Sequence, residues 1–123
     1  MQIIAIIGAS NNREKFGNKA LRAYRDSGWT VFPVNEREQT IEGLEAYSKY
    51  TDIPEKVDRV SFYVPPSAGI RVIEDIAKKP PKELFFNPGS ESKTLVARAR
   101  VLGLDPIIEC SIVAIGKNPA EYS

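Results

Sequence analysis

Ile3-Ile4-Ala5-Ile6-Ile7-Gly8-Ala9-Ser10-Asn11-Asn12 is the stretch that decides the fold. Its apolar run is short and reads as a buried strand. Gly8 and the small residues after it read as a turn, and a helical pattern follows. Open α/β proteins use this strand–turn–helix unit to present backbone N–H groups and a helix N-terminus to a phosphate. The first expectation is therefore a phosphorylated ligand, and in particular one that contains a nucleotide.

Outward from this unit, apolar runs alternate with helical patterns, which implies repeated βα units and a mainly parallel sheet. Strand one is expected over about Gln2–Ile7. A helix follows over Phe16–Ser27, with Phe16, Ala20, Leu21 and Tyr24 on its inner face and Gly28 stopping it. Strand two spans Thr30–Val34, followed by a turn-rich connection containing Gly43 and a short turn near Asp52–Glu55. Strand three spans Arg59–Val64 and ends at Pro65-Pro66. The next helix covers Ser67–Lys79, burying Ile70, Ile73 and Ala77, and Pro80-Pro81 closes it. Strand four is Glu83–Phe86, with a turn over Asn87-Pro88-Gly89-Ser90. A helix over Glu91–Leu102 leads to strand five at Pro106–Glu109, and Ile112–Ser123 reads as loop. The expected architecture is a Rossmann-like three-layer α/β fold with a five-stranded parallel sheet in order 3-2-1-4-5. Residues 1–123 are expected to form one domain.

The 123 residues can bury a real core without staples. A formal net charge of +1 gives no electrostatic case for nucleic acid or an anionic membrane. No apolar stretch approaches the ~20 residues of a membrane span, and no signal peptide is evident, so a cytoplasmic protein is expected. Cys110 is the single cysteine and there is no histidine. That excludes an internal disulfide, every His-based triad, His-ligated zinc and a phosphohistidine intermediate within this chain. No catalytic or metal-binding residue is assigned.

Ligands of such sheets lie beyond the carboxyl ends of the strands. That edge carries Gly8–Lys15, Asn35–Arg37, Val64–Pro66, Asn87–Ser90 and Cys110–Ser111. The first loop falls short of G-x-G-x-x-G, because Ser10 takes the second glycine's place, Arg13 the third's, and Gly17 comes late. Ser10 offers its own hydroxyl and N–H, and Lys15 offers mobile positive charge. After strand two, Pro33-Val34-Asn35-Glu36-Arg37 lacks the usual ribose-binding acid unless Glu36 serves from a shifted position. Asn35 with Arg37 better suits an adenosine carrying an extra phosphate, since arginine binds phosphate through two parallel hydrogen bonds.

In combination these loops resemble the stand-alone coenzyme A-binding domain family, and also the N-terminal domain of the succinyl-CoA synthetase α subunit. The matching segments are Ile7-Gly8-Ala9-Ser10 with Lys15, Pro33-Val34-Asn35 with Arg37, and Thr51-Asp52-Ile53-Pro54-Glu55-Lys56-Val57-Asp58. Tyr63-Val64-Pro65-Pro66, Gly103-Leu104-Asp105 and Cys110 extend the match over essentially the whole chain. Phe86-Asn87-Pro88-Gly89 departs from the family's usual fourth turn. Neither the synthetase's active histidine nor an ATP-binding domain is present.

The resemblance implies a non-catalytic module holding CoA or an acyl-CoA as a sensor, carrier or regulatory subunit, with room for a protein partner. In the implied pose the N–H groups of Ala9 and Ser10, beside Gly8, hold the pyrophosphate together with Lys15. Asn35 and Arg37 hold the adenosine end, Arg37 taking the 3′-phosphate. Val64, Pro65 and Gly89 lie along the pantetheine path, and Val34, Tyr63 and Asn87 are further expected cofactor-binding positions. Cys110 is either a buried structural thiol or a residue that the pantetheine thiol approaches. Two other readings stay open: an NAD(P)-binding protein or enzyme, and an interaction subunit with a degenerate nucleotide pocket.

Overall fold

The computed structural model describes residues 2–123. In chain order its elements are β1 (Ile3–Ile7), α1 (Phe16–Asp26), β2 (Thr30–Val34), β3 (Thr40–Ile41) and β4 (Leu44–Glu45). Then come β5 (Arg59–Phe62), α2 (Pro66–Lys78), β6 (Glu83–Phe86), α3 (Lys93–Val101) and β7 (Pro106–Ile108). Alternate residues of β1 feed two cores, as expected of a strand covered on both faces. Ala5 and Ile7 join Val60, Phe62, Ile73, Ile76, Phe86 and Leu95 under α2 and α3. Ile4 and Ile6 join Ala20, Leu21, Tyr24 and Ile112 under α1 and the C-terminal tail.

The main sheet is parallel and five-stranded, as expected, and the fold is Rossmann-like. The strand order departs from expectation. It runs β2-β1-β5-β6-β7, which is 2-1-3-4-5 by order of appearance, and corrects the expected 3-2-1-4-5. The third long strand pairs with β1, Ile4 opposite Arg59 and Ile7 opposite Phe62. Pro33 supplies the physical reason. Its carbonyl accepts from Tyr47 N–H at 2.9 Å on the side of β2 away from β1, so its missing N–H falls on that outer side. A proline there cannot support a full neighbouring strand, which makes β2 an edge.

Three local differences bear on the site. The turn-rich connection contains a two-strand hairpin, β3–β4, whose tip Glu42-Gly43 has both φ positive, at 50° and 80°. The expected loop over Ile112–Ser123 holds short 3-10 turns at Val113–Ile115 and Pro119–Tyr122, the second closed by a capping box between Asn118 and Glu121. Phe16, expected on the inner face of α1, is 54% exposed. As the first helical residue it points back over the loop before the helix, not down onto the sheet.

Candidate functional site

With the strands in this order, the winding reverses between β1 and β5. The crevice that such a reversal opens lies at their carboxyl ends, where Gly8 follows β1 and Tyr63-Val64 follows β5. Two of the hollows along that edge adjoin each other and share Gly8, Asn35 and Val64. One, of about 600 Å³, is lined by the first loop, Lys15, Phe16, Gly17, Tyr63-Val64-Pro65 and Pro88-Gly89-Ser90. The other, of about 510 Å³, has an apolar floor that includes Ile7, Val34, Tyr50, Val64 and Val72. Its rim carries Arg37, Lys49 and Arg71.

The first loop is packed too tightly for side chains. Gly8 has φ +87°, and a Cβ there would stand 2.7 Å from Val64 Cγ1 and 2.9 Å from the Tyr63 carbonyl oxygen. Gly17, near the start of α1, meets the same turn from the other side. A Cβ on it would lie 2.5 Å from the Gly8 carbonyl oxygen. Gly17 thus gives the close helix–strand packing that the third glycine of G-x-G-x-x-G supplies. By spacing alone Gly17 comes too late in the chain for that role. This packing leaves donors unused: among the described residues, the N–H groups of Ala9, Ser10, Phe16 and Gly17 have no hydrogen-bond partner. Lys15, the N-cap of α1, caps nothing with its side chain. Four backbone donors, a helix start and a lysine thus line one hollow, a set of groups of the kind that can hold an anion.

Buttresses hold the loop from below. Ser10 Oγ accepts from Asn12 N–H at 3.0 Å. The buried amide of Asn18 donates to the Ser10 carbonyl at 2.8 Å and to Glu42 Oε2 at 3.1 Å, and its Oδ1 accepts from Arg22 Nε at 2.7 Å. The amide of Asn18 beside Glu42, with the guanidinium groups of Arg13, Arg22 and Arg25, holds the Glu42 carboxyl below its usual range. The hairpin tip is thereby fastened to the floor of the loop.

The structure brings most of the expected site residues together. Gly8, Ala9, Ser10, Lys15, Asn35, Tyr63, Val64, Pro65 and Gly89 line the larger hollow, and Val34 and Arg37 line the smaller. Asn35 lies where they meet, with its side chain committed to the protein. Its amide donates to the Ala9 carbonyl at 2.8 Å, and its Oδ1 accepts from Arg37 and Glu38 N–H at 2.7 and 3.0 Å.

Asn87 lies under the site and Cys110 beside it. Asn87 is 2% exposed, and its amide donates to Ser61 Oγ at 2.7 Å and to the Phe62 carbonyl at 2.8 Å, while Ser111 N–H donates to its Oδ1 at 2.8 Å. Ser111 Oγ in turn meets Ser61 Oγ at 2.6 Å and the Tyr63 hydroxyl at 3.0 Å. Burial pushes the Tyr63 phenol well above its ordinary range, so it stays protonated and its ring serves as wall. Cys110 is partly buried, packs against the α1-side core and lines neither hollow. Phe16, Gly17, Lys49 and Arg71 also line the hollows without having been expected there; Lys49 and Arg71 come from separate elements that converge only once the strand order is known.

Residues 2–116 match the family described as a CoA binding domain. The chain belongs to that family. Among solved structures, this CoA-binding domain superposes on a conserved hypothetical protein from Pyrococcus furiosus with a TM-score of 0.85 at 33% identity, covering 93% of this chain and 99% of that one. It also superposes on the dinucleotide-forming acetyl-coenzyme A synthetase 1 of Candidatus Korarchaeum cryptofilum, TM-score 0.74 at 28% identity, covering 88% of this chain and 25% of that one. By sequence it is 40% identical over 63 residues to the α subunit of an ADP-forming acetate–CoA ligase II from Pyrococcus furiosus, a match covering 50% of this chain and 14% of that protein. It is 32% identical over 78 residues to an ADP-forming acetate–CoA ligase I from Archaeoglobus fulgidus, covering 63% and 11% respectively. The domain thus spans only a small part of those ligases. Among the described residues no helix is long and apolar enough to cross a membrane.

Proposed function

We propose that the chain binds coenzyme A or an acyl-CoA in the cytoplasm, as a module that holds the cofactor while chemistry is done by other proteins or domains. The observation that carries this is the group of unpartnered N–H donors at Ala9, Ser10, Phe16 and Gly17, beside Lys15 at the β1/β5 crevice. They suit the two negative charges of a pyrophosphate. From there the adenosine runs over the apolar floor toward Arg37, and the pantetheine runs between Phe16 and the Pro65 and Pro88 walls. Asn35 shapes the loop that carries Arg37, and Asn87 anchors the Pro88–Ser90 turn from below. Ser10 Oγ, in the first loop, sits in a local turn with Asn12 and has no adjacent base.

Thermal denaturation with CoA and with NAD tests the reading. CoA at about 100 times its dissociation constant raises stability by about 2.7 kcal/mol, and NAD at the same concentration raises it less. A larger shift with NAD overturns the assignment. Lys15→Ala weakens CoA binding in a salt-dependent way and leaves the ligand-free protein within about 0.5 kcal/mol of the parent, as expected for an exposed lysine.

A further inference from the structure

We propose that Glu42, at the tip of the β3–β4 hairpin, is a positioning residue for the ligand: it fixes the first loop in the shape that leaves backbone N–H groups free for an anion. The inference rests on the CoA reading above and names what keeps that site formed before the ligand arrives. Among the described residues Glu42 is the only one besides glycine with a positive φ, at 50°, a conformation that side chains with a Cβ rarely adopt. Gly43 follows with φ 80°. A tip with two positive φ values favours Asn-Gly, so the turn itself gives no reason for a glutamate.

The contacts of Glu42 supply the reason, since each of its polar groups reaches the first loop or α1. Its N–H donates to Asn11 Oδ1 at 3.4 Å, and its carbonyl accepts from Arg25 at 2.9 Å. Oε1 accepts from Arg13 at 3.3 Å, and Oε2 accepts from the Asn18 amide at 3.1 Å. Asn11 returns the grip by donating to the Thr40 carbonyl at 2.9 Å.

The Asn18 contact carries the effect to the backbone. Its amide nitrogen gives one hydrogen to Glu42 and the other to the Ser10 carbonyl at 2.8 Å. A carboxylate only accepts, so it admits the one amide orientation that aims this nitrogen at Ser10. A trans peptide holds its C=O and N–H on opposite sides. Anchoring the Ser10 carbonyl on Asn18, and the Ala9 carbonyl on the Asn35 amide, therefore turns the N–H groups of Asn11 and Ser10 away from those anchors. Donors already aimed hold an anion at less entropic cost than donors that the anion must gather.

Glu42→Asn separates this role from a merely structural one. It gives the tip the pair that its turn favours, and its side chain falls one methylene short of Asn18. Nitrogen-15 relaxation without ligand, and calorimetric titration with CoA, read the result. The backbone of residues 9–14 is expected to gain fast motion while residues 40–45 keep the parent's order. CoA affinity is expected to fall about tenfold, the worth of ordering one residue's backbone. Glu42→Gln, which keeps an acceptor for the Asn18 amide, is expected to recover most of that affinity. Glu42→Gly, equally suited to the positive φ, is read beside Glu42→Asn so that one intact hairpin suffices. A first loop as rigid as the parent's, or an unchanged affinity for CoA, overturns the positioning role and leaves the CoA reading standing. If the parent binds no CoA, the CoA reading fails, and inorganic pyrophosphate becomes the probe. Weaker pyrophosphate binding by Glu42→Asn than by the parent then supports the positioning role, and equal or absent binding overturns it.

Discussion

Gly17 sits against the Gly8 carbonyl so closely that one methyl group is felt. In Gly17→Ala the new Cβ would stand 2.5 Å from that oxygen, and backbone on both sides must shift. The expected cost is about 1–3 kcal/mol, read as a lowered denaturation midpoint, together with loss of CoA binding because the turn that aims the N–H donors is displaced. Glu42 gives a pH signature. Its carboxyl is held below the ordinary value of 4.5, chiefly by the Asn18 amide, so the stabilisation is complete above that value and is lost as the pH falls through the lowered one. Glu42→Gln is therefore expected to be less stable than the parent at neutral pH, with the gap closing on acidification. An acid denaturation series on both proteins measures it, and parallel curves would show that the charge contributes nothing. The positions of Gly8, Ser10 and Arg37 could be read because each follows a strand end within three residues, and that of Lys15 because it stands just before α1. That of Gly17 could not, since its role depends on a contact across nine residues that spacing rules do not describe.

Each element boundary has a chemical cause, and some causes are visible in the sequence only to a reader who looks for caps. Ser92 opens α3 by accepting from Leu95 N–H at 3.1 Å. Ser92→Ala is expected to cost about 1 kcal/mol, measurable by denaturant titration with no change in the slope. That cap starts the helix two residues after the position that apolar periodicity suggests. Asn118-Pro119-Ala120-Glu121 carries the N-cap, proline and capping-box glutamate of a helical turn, and the structure forms one there. Periodicity alone reads it as loop because the turn is too short to have a period. The β3–β4 hairpin escaped for another reason. Its tip pairs a glycine with a glutamate at φ 50°, where Asn or Asp is the usual residue. Contacts from Arg13, Arg25 and Asn18 hold Glu42 in that conformation, so tertiary packing overrides local preference.

At the scale of the whole molecule, the layers and the parallel sheet were legible from the alternation of strand and helix patterns, because burial on two faces shows as continuous apolar runs. The strand order was not, although Pro33 carried the signal. With strand two as an inner strand, the reversal would fall between the first and fourth long strands. With Pro33 at the edge it falls between β1 and β5, and that change brings Tyr63-Val64 against Gly8 and sets Arg71 on the rim of the smaller hollow. The central place of β1 has a further consequence during synthesis. The ribosome releases β1 before either of its partners exists, so its five apolar residues wait with both hydrogen-bonding sides bare until residues 30–34 arrive on one side and 59–62 on the other. Unpaired apolar edges are what nascent chains aggregate through. The first partner to arrive brings its own stop, since the proline on its far side cannot recruit another strand. A nascent chain arrested after β2 can therefore guard one flank of β1 while the other stays open, and a holding chaperone at the ribosome is expected to leave only after β5 has emerged.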